Sequence, residues 1–134
     1  MARVETLTDE QVAVLAVDDQ PVFLAVAREV VDSTPGFRWV GDAASGEAAL
    51  DAVDRLEPAL VLLDVQMPGI DGIETARRIC ATHPDVVVVL ISVEKGLATR
   101  PEVEASGAAA FVRKQDLGPA MLRTLWQTHQ QSHS

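Results

Sequence analysis

The chain has 134 residues, 48% of them apolar, and a formal charge of −9. One domain with a proper core is expected, and a disordered chain is excluded. The negative charge and the lack of a basic cluster argue against direct binding to nucleic acid or to an anionic membrane surface.

In chain order, residues 1–11 read as a polar N-terminal extension without the apolar core of a signal peptide. Val12–Val17 is a short apolar run ending in Asp18-Asp19. Phe23, Val26, Ala27 and Val30 then repeat at helical spacing, with Pro21 suited to a first helical turn. Phe37–Ala43 reads as a second strand. Ala49, Ala52, Val53 and Leu56 mark a second helix, which Ser45 can cap. Ala59–Leu63 is a third strand, closed by Asp64. A helix capped by Asp71 follows, with Ile73, Ala76 and Cys80 on one stripe.

Val86–Ile91 is apolar throughout, as expected of a parallel strand covered on both faces, and it ends at Ser92. The segment 94–107 is irregular. Gly96 weakens a helix start and interior proline is costly, so the fourth helix is predicted short and late, roughly Pro101–Ala105, after a mobile or unusually placed loop over 94–100. Ala109–Val112 is the fifth strand, followed by Lys114. Met121, Leu122, Leu125 and Trp126 mark the fifth helix, and residues 129–134 read as a polar, frayed tail.

Strand and helix thus alternate five times. Right-handed crossovers make this a doubly wound α/β sandwich, with ligands expected outside the carboxyl ends of the strands. Asp18, Asp19, Asp64, Ser92 and Lys114 all fall there. A lone Asp at a strand end is ordinarily a cap or turn residue. Three together repel one another unless a cation joins them, and hard oxygen donors suit Mg²⁺. A hydroxyl and an ammonium suit a phosphoryl group.

These residues carry a resemblance. Val14-Leu-Ala-Val-Asp-Asp19, Leu60-Val-Leu-Leu-Asp-Val-Gln-Met-Pro-Gly-Ile-Asp-Gly72, Val89-Leu-Ile-Ser92 and Gly107-Ala-Ala-Ala-Phe-Val-Arg-Lys114 resemble the receiver domains of bacterial two-component response regulators. Val40-Gly-Asp-Ala-Ala-Ser-Gly-Glu-Ala-Ala-Leu50 resembles the LuxR/NarL-type subgroup, whose members often carry a helix-turn-helix. The resemblance implies a five-stranded parallel sheet, (βα)5, flavodoxin-like or CheY-like, in strand order 2-1-3-4-5, with a receiver domain over 12–128. It implies Asp64 as phosphoacceptor and Asp18, Asp19, Asp64 and the backbone carbonyl of Gln66 as Mg²⁺ ligands. Lys114 and Ser92 would meet the phosphoryl group, Ser92 and Phe111 would form the switch, and Gln66 and Glu94 would tune phosphoryl lifetime. Met67-Pro68-Gly69 would shape the loop behind Asp64.

The implied partners are a sensor histidine kinase and a downstream protein effector or DNA-binding partner, through a surface of the fourth helix, fifth strand and fifth helix. Trp126 is a candidate dimer or partner contact. Gln115 stands where many receivers have proline, so no cis-proline is expected after Lys114. No helix-turn-helix follows the fifth helix, and Met1 favours a single-domain regulator over a fragment. The single cysteine, Cys80, fits a cytoplasmic setting and reads as packing. His83 reads as a helix-end residue, and Trp39 as packing.

Three other readings stay open. An Asp-nucleophile, Mg-dependent phosphohydrolase would want an Asp where Gln66 stands. A flavodoxin-like cofactor binder would want a Ser/Thr/Gly-rich loop where Asp18-Asp-Gln-Pro21 stands. The last is a receiver-like module that signals without phosphate.

Overall fold

The computed structural model describes residues 11–67, 69–93 and 99–132. Five parallel strands are β1 (Val12–Val17), β2 (Phe37–Ala43), β3 (Leu60–Asp64), β4 (Val87–Ser92) and β5 (Ala110–Arg113). Five helices join or follow them: α1 (Pro21–Asp32), α2 (Gly46–Leu56), α3 (Gly72–Thr82), α4 (Arg100–Ser106) and α5 (Pro119–Ser132). The strand order is β2-β1-β3-β4-β5, as the resemblance implies. The switch in strand order therefore lies between β1 and β3, whose carboxyl ends carry the Asp18-Asp19 pair and Asp64.

Alternation along the strands divides the core in two. Val14, Ala16, Leu60, Leu62, Val89, Ile91 and Val112 face α1 and α5 and pack with Phe23, Ala27, Val31 and Leu122. Leu15, Val17, Val61, Leu63, Val88 and Leu90 face α2 and α3 and pack with Ala49, Ala52, Val53, Ala76 and Ile79. Because β1, β3 and β4 are covered on both faces, all their residues are buried, which explains why they read as unbroken apolar runs.

The helix ends follow the sequence signals. Ser45 accepts from the Ala48 N–H and Asp71 from the Glu74 N–H, each capping its helix. Pro21 opens α1 in its first turn. The late fourth helix is confirmed: Thr99 and Glu102 form a reciprocal capping box, and Pro101 lies in the first turn. Residues 94–98, and with them Glu94 and most of the expected irregular loop, lie outside the described residues. So does Pro68.

Three strands lie one residue later than the sequence reading at both ends. Asp64, Ser92 and Arg113 each occupy the last rung of their strand. The helix α5 also extends through Ser132, so His129 is helical rather than part of a frayed tail. Its ring lies 6.1 Å from that of Trp126, which also meets Phe37 edge-on at 6.5 Å. Trp39 is half-buried against the α1–α5 core, and His83 ends α3 as expected. There is no cis peptide bond among the described residues.

Candidate functional site: an acidic crevice holding one ammonium

β1 and β3 deliver two aspartates to the same height of the sheet. Asp18 is fully buried, Asp64 is 6% exposed, and Asp19 is exposed. Each buried aspartate is fixed through one oxygen. Asp18 Oδ1 accepts the Gln20 N–H at 2.8 Å, and Asp64 Oδ1 accepts the Gln66 N–H at 3.3 Å. The two Oδ2 atoms then face Lys114, the first residue of the 3₁₀ turn after β5. Lys114 Nζ lies 2.6 Å from Asp18 Oδ2 and 3.8 Å from Asp64 Oδ2. It also lies 4.5 Å from the Phe23 ring centroid, so the ammonium is held by two carboxylates and an aromatic face.

One carboxylate oxygen each from Asp18, Asp19 and Asp64 lies within 4.8 Å of the others. The Asp18 Oδ2–ammonium contact is close but off hydrogen-bond angle, so Asp18 Oδ2 is buried without a hydrogen-bond partner. A set of carboxylate oxygens with one unsatisfied lone-pair site fits a hard divalent cation such as Mg²⁺. Burial pushes the Asp64 carboxyl up to about 6. The negative charge of Asp18 adds to this, while Lys114 and the Gln66 N–H oppose it.

Ser92, on the last rung of β4, is fully buried and lines the same crevice. The crevice has a volume of about 780 Å³, and Gln66, Met67, Val93, Asp71, Glu74 and Glu102 form its rim. Glu74 is held below the usual carboxylate range by hydrogen bonds from Arg78 and Arg77. The floor behind Asp64 is closed by Gly72, where any Cβ would overlap the carbonyl oxygen of Asp64. Phe111 is half-buried on the α2–α3 side of the sheet, away from this cluster of charges.

The structure thus brings together Asp18, Asp19, Asp64, Ser92, Lys114 and Gln66, and keeps Phe111 on the neighbouring strand. The sequence reading missed three features. The Asp18–Lys114 pair joins residues 96 positions apart and leaves no local pattern. Phe23 was visible only as a core residue. Glu102 reaches the rim from α4, although its spacing from Thr99 was legible as a capping box.

The fold is that of a signalling receiver domain, a class that works by phosphorylation. Residues 14–125 match the response regulator receiver domain family, and the chain belongs to it. It is 36% identical over 84% of its length to a protein-glutamate methylesterase/protein-glutamine glutaminase of Myxococcus xanthus, of which it covers 32%. It is 37% identical over 77% of its length to the response regulator GacA of Pseudomonas viridiflava, of which it covers 48%. The chain therefore spans about a third to a half of the length of these curated relatives. Among solved structures, the response regulator domain of Thermotoga maritima CheB superposes with a TM-score of 0.78 at 28% identity, covering 87% of this chain and 95% of that one. The receiver domain of the putative regulator NarL of Mycobacterium tuberculosis gives 0.73 at 30% identity, with 87% and 97% covered.

Receiver domains bind Mg²⁺ at an acidic pocket, signal by phosphorylation, and interact with histidine kinases and downstream effectors. The methylesterase relatives carry their catalysis in a separate domain. No helix among the described residues is long and apolar enough to cross a membrane.

Proposed function

We propose that this chain is a phosphorylation switch in which Asp64 accepts a phosphoryl group from a sensor histidine kinase. The observation that carries this reading is the convergence of three carboxylates and the Lys114 ammonium at the carboxyl ends of β1, β3 and β5. Asp64 Oδ2 is the acceptor atom, because its Oδ1 is engaged by the Gln66 N–H. It attacks phosphorus in line, the bond to the donor histidine breaks, and the donor keeps that electron pair. Asp18, Asp19, Asp64 and the Gln66 carbonyl would hold Mg²⁺, which when bound neutralises and orients the phosphoryl oxygens. Lys114 would contribute a second positive charge, and the Ser92 hydroxyl would donate to a phosphoryl oxygen. Movement of Ser92 is read by Phe111 on the adjacent strand, and the altered face of α4, β5 and α5 controls a downstream protein or DNA-binding partner. Gln66 and Glu94 tune how long the phosphoryl group persists.

The test is incubation with acetyl phosphate and Mg²⁺, read by intact mass. One added phosphoryl group on the wild type and none on Asp64→Asn supports the reading. Mg²⁺ binding with steady phosphate release instead favours a phosphohydrolase. No adduct, no release and no Mg²⁺ binding favours the module that signals without phosphate.

A further inference from the structure

Phe23 is the third residue of α1, and two hydrogen bonds fix where its ring falls. Asp18 Oδ1 accepts the Gln20 N–H at 2.8 Å, which ties the N-cap of α1 to the end of β1. The Gln20 carbonyl in turn accepts the Phe23 N–H at 3.1 Å. The ring is buried in the α1–α5 core, yet its centroid lies 4.5 Å from Lys114 Nζ. A large aliphatic side chain would meet the demands of packing there. What an aromatic face adds is attraction for a cation. With the Lys114 side chain only 12% exposed, the contact belongs to the desolvated range, where that attraction is strongest.

Lys114 needs such a hold. It opens the 3₁₀ turn Lys114–Asp116, which has no side-chain cap. A flexible four-carbon stem on that turn is aimed by what its ammonium meets: Asp18, Asp64 and the ring. The two carboxylates are the groups whose charge changes as the site works. Asp64 becomes an acyl phosphate, and both belong to the acidic set that suits a divalent cation. Their pull on Lys114 therefore varies through the reaction. The ring does not titrate, ligates nothing and is not consumed, so its pull is constant.

We propose that Phe23 is a positioning residue for phosphoryl transfer: its ring face keeps the Lys114 ammonium in the crevice whatever charge Asp18 and Asp64 carry. The inference rests on Asp64 as the acceptor. With acetyl phosphate as donor, Asp64 Oδ2 forms the new O–P bond, the donor's P–O bond to its acetyl group breaks, and acetate leaves with the electron pair. Charge on the phosphoryl oxygens must be neutralised in that step, and an ammonium already held in place does so without reorganisation.

The experiment is a double-mutant cycle on the full chain: wild type, Phe23→Leu, Lys114→Met and the double variant. Initial rates of phosphoryl addition from acetyl phosphate at saturating Mg²⁺ are read by intact mass. Phe23→Leu should slow the wild type about fivefold. It should change the Lys114→Met rate by less than about twofold, because the cation it acts through is gone. A phenylalanine trifluorinated on its ring, placed at position 23, keeps an aromatic ring in the core while withdrawing electron density from its face. It should slow the rate as Phe23→Leu does, with the Tm retained. Should Phe23→Leu fail to fold, the fluorinated ring decides alone. Equal slowing by Phe23→Leu in both backgrounds, or a wild-type rate with the fluorinated ring, makes Phe23 a packing residue and overturns the proposal while Asp64 remains the acceptor. No adduct on the wild type overturns the acceptor reading and this role with it.

Discussion

Asp64 is the residue whose chemistry its surroundings alter most. The Asp64 carboxyl is raised to about 6 in the fold, against 3.8 for the ordinary group. The native state therefore binds more protons than the unfolded state between those values, and stability falls as pH rises through that window. Above pH 6 the ionised carboxylate is a net burden on the metal-free fold, worth at most about 3 kcal/mol. Asp64→Asn should therefore raise the metal-free denaturation midpoint at pH 7 and have little effect at pH 4. Urea titrations at both pH values check this, and an equal gain at both would refute it. Lys114→Met should do the opposite, costing about 3 kcal/mol at pH 7 by leaving Asp18 and Asp64 without their cation. Added Mg²⁺ should recover part of that loss in the same urea titration.

At the scale of elements, the junction of β3 with α3 tolerates the least change. A methyl group at Gly72 has no room against the Asp64 carbonyl, so Gly72→Ala must displace either the strand end or the helix start. The expected cost is about 2–4 kcal/mol, with slower phosphorylation by acetyl phosphate than the stability loss explains. α4 is held differently. Its seven residues depend on the Thr99–Glu102 capping box, and Thr99→Ala should loosen it by about 1 kcal/mol. Faster amide exchange confined to α4, with the global midpoint nearly unchanged, would show this.

The elements also show what could be read without coordinates. β1 and β2 were legible to the residue, because apolar alternation or continuity ends where they end. β3, β4 and β5 were each placed one residue early. Asp64, Ser92 and Arg113 are polar, and the rule that strands are apolar runs leaves them out, although they are the final rungs of the ladder. The carboxylates, Ser92 and Lys114 were legible because local motifs carry them. The Lys114–Asp18 pair and the ring of Phe23 under the ammonium were not, since each depends on elements brought together across the chain. The C-terminal turns of α5 lack an apolar stripe beyond Trp126, so periodicity gave no reason to continue the helix.

For the whole molecule, the charge of −9 and the three clustered carboxylates predict stabilisation by Mg²⁺ beyond ionic screening. At a hundredfold excess over Kd the gain is about 2.7 kcal/mol. It should appear as a rise in Tm with MgCl₂ that matched NaCl does not reproduce and that Asp18→Asn abolishes. Equal effects of the two salts would reduce it to screening.

The last-rung placement of Asp64 and Ser92 has a consequence for how the protein fails. Each is the buried last rung of its own strand rather than part of a separate loop. Heat has no intermediate to offer in which the scaffold survives and the acceptor wanders. Loss of phosphoryl acceptance and loss of the sheet are one event, and their melting curves should superimpose.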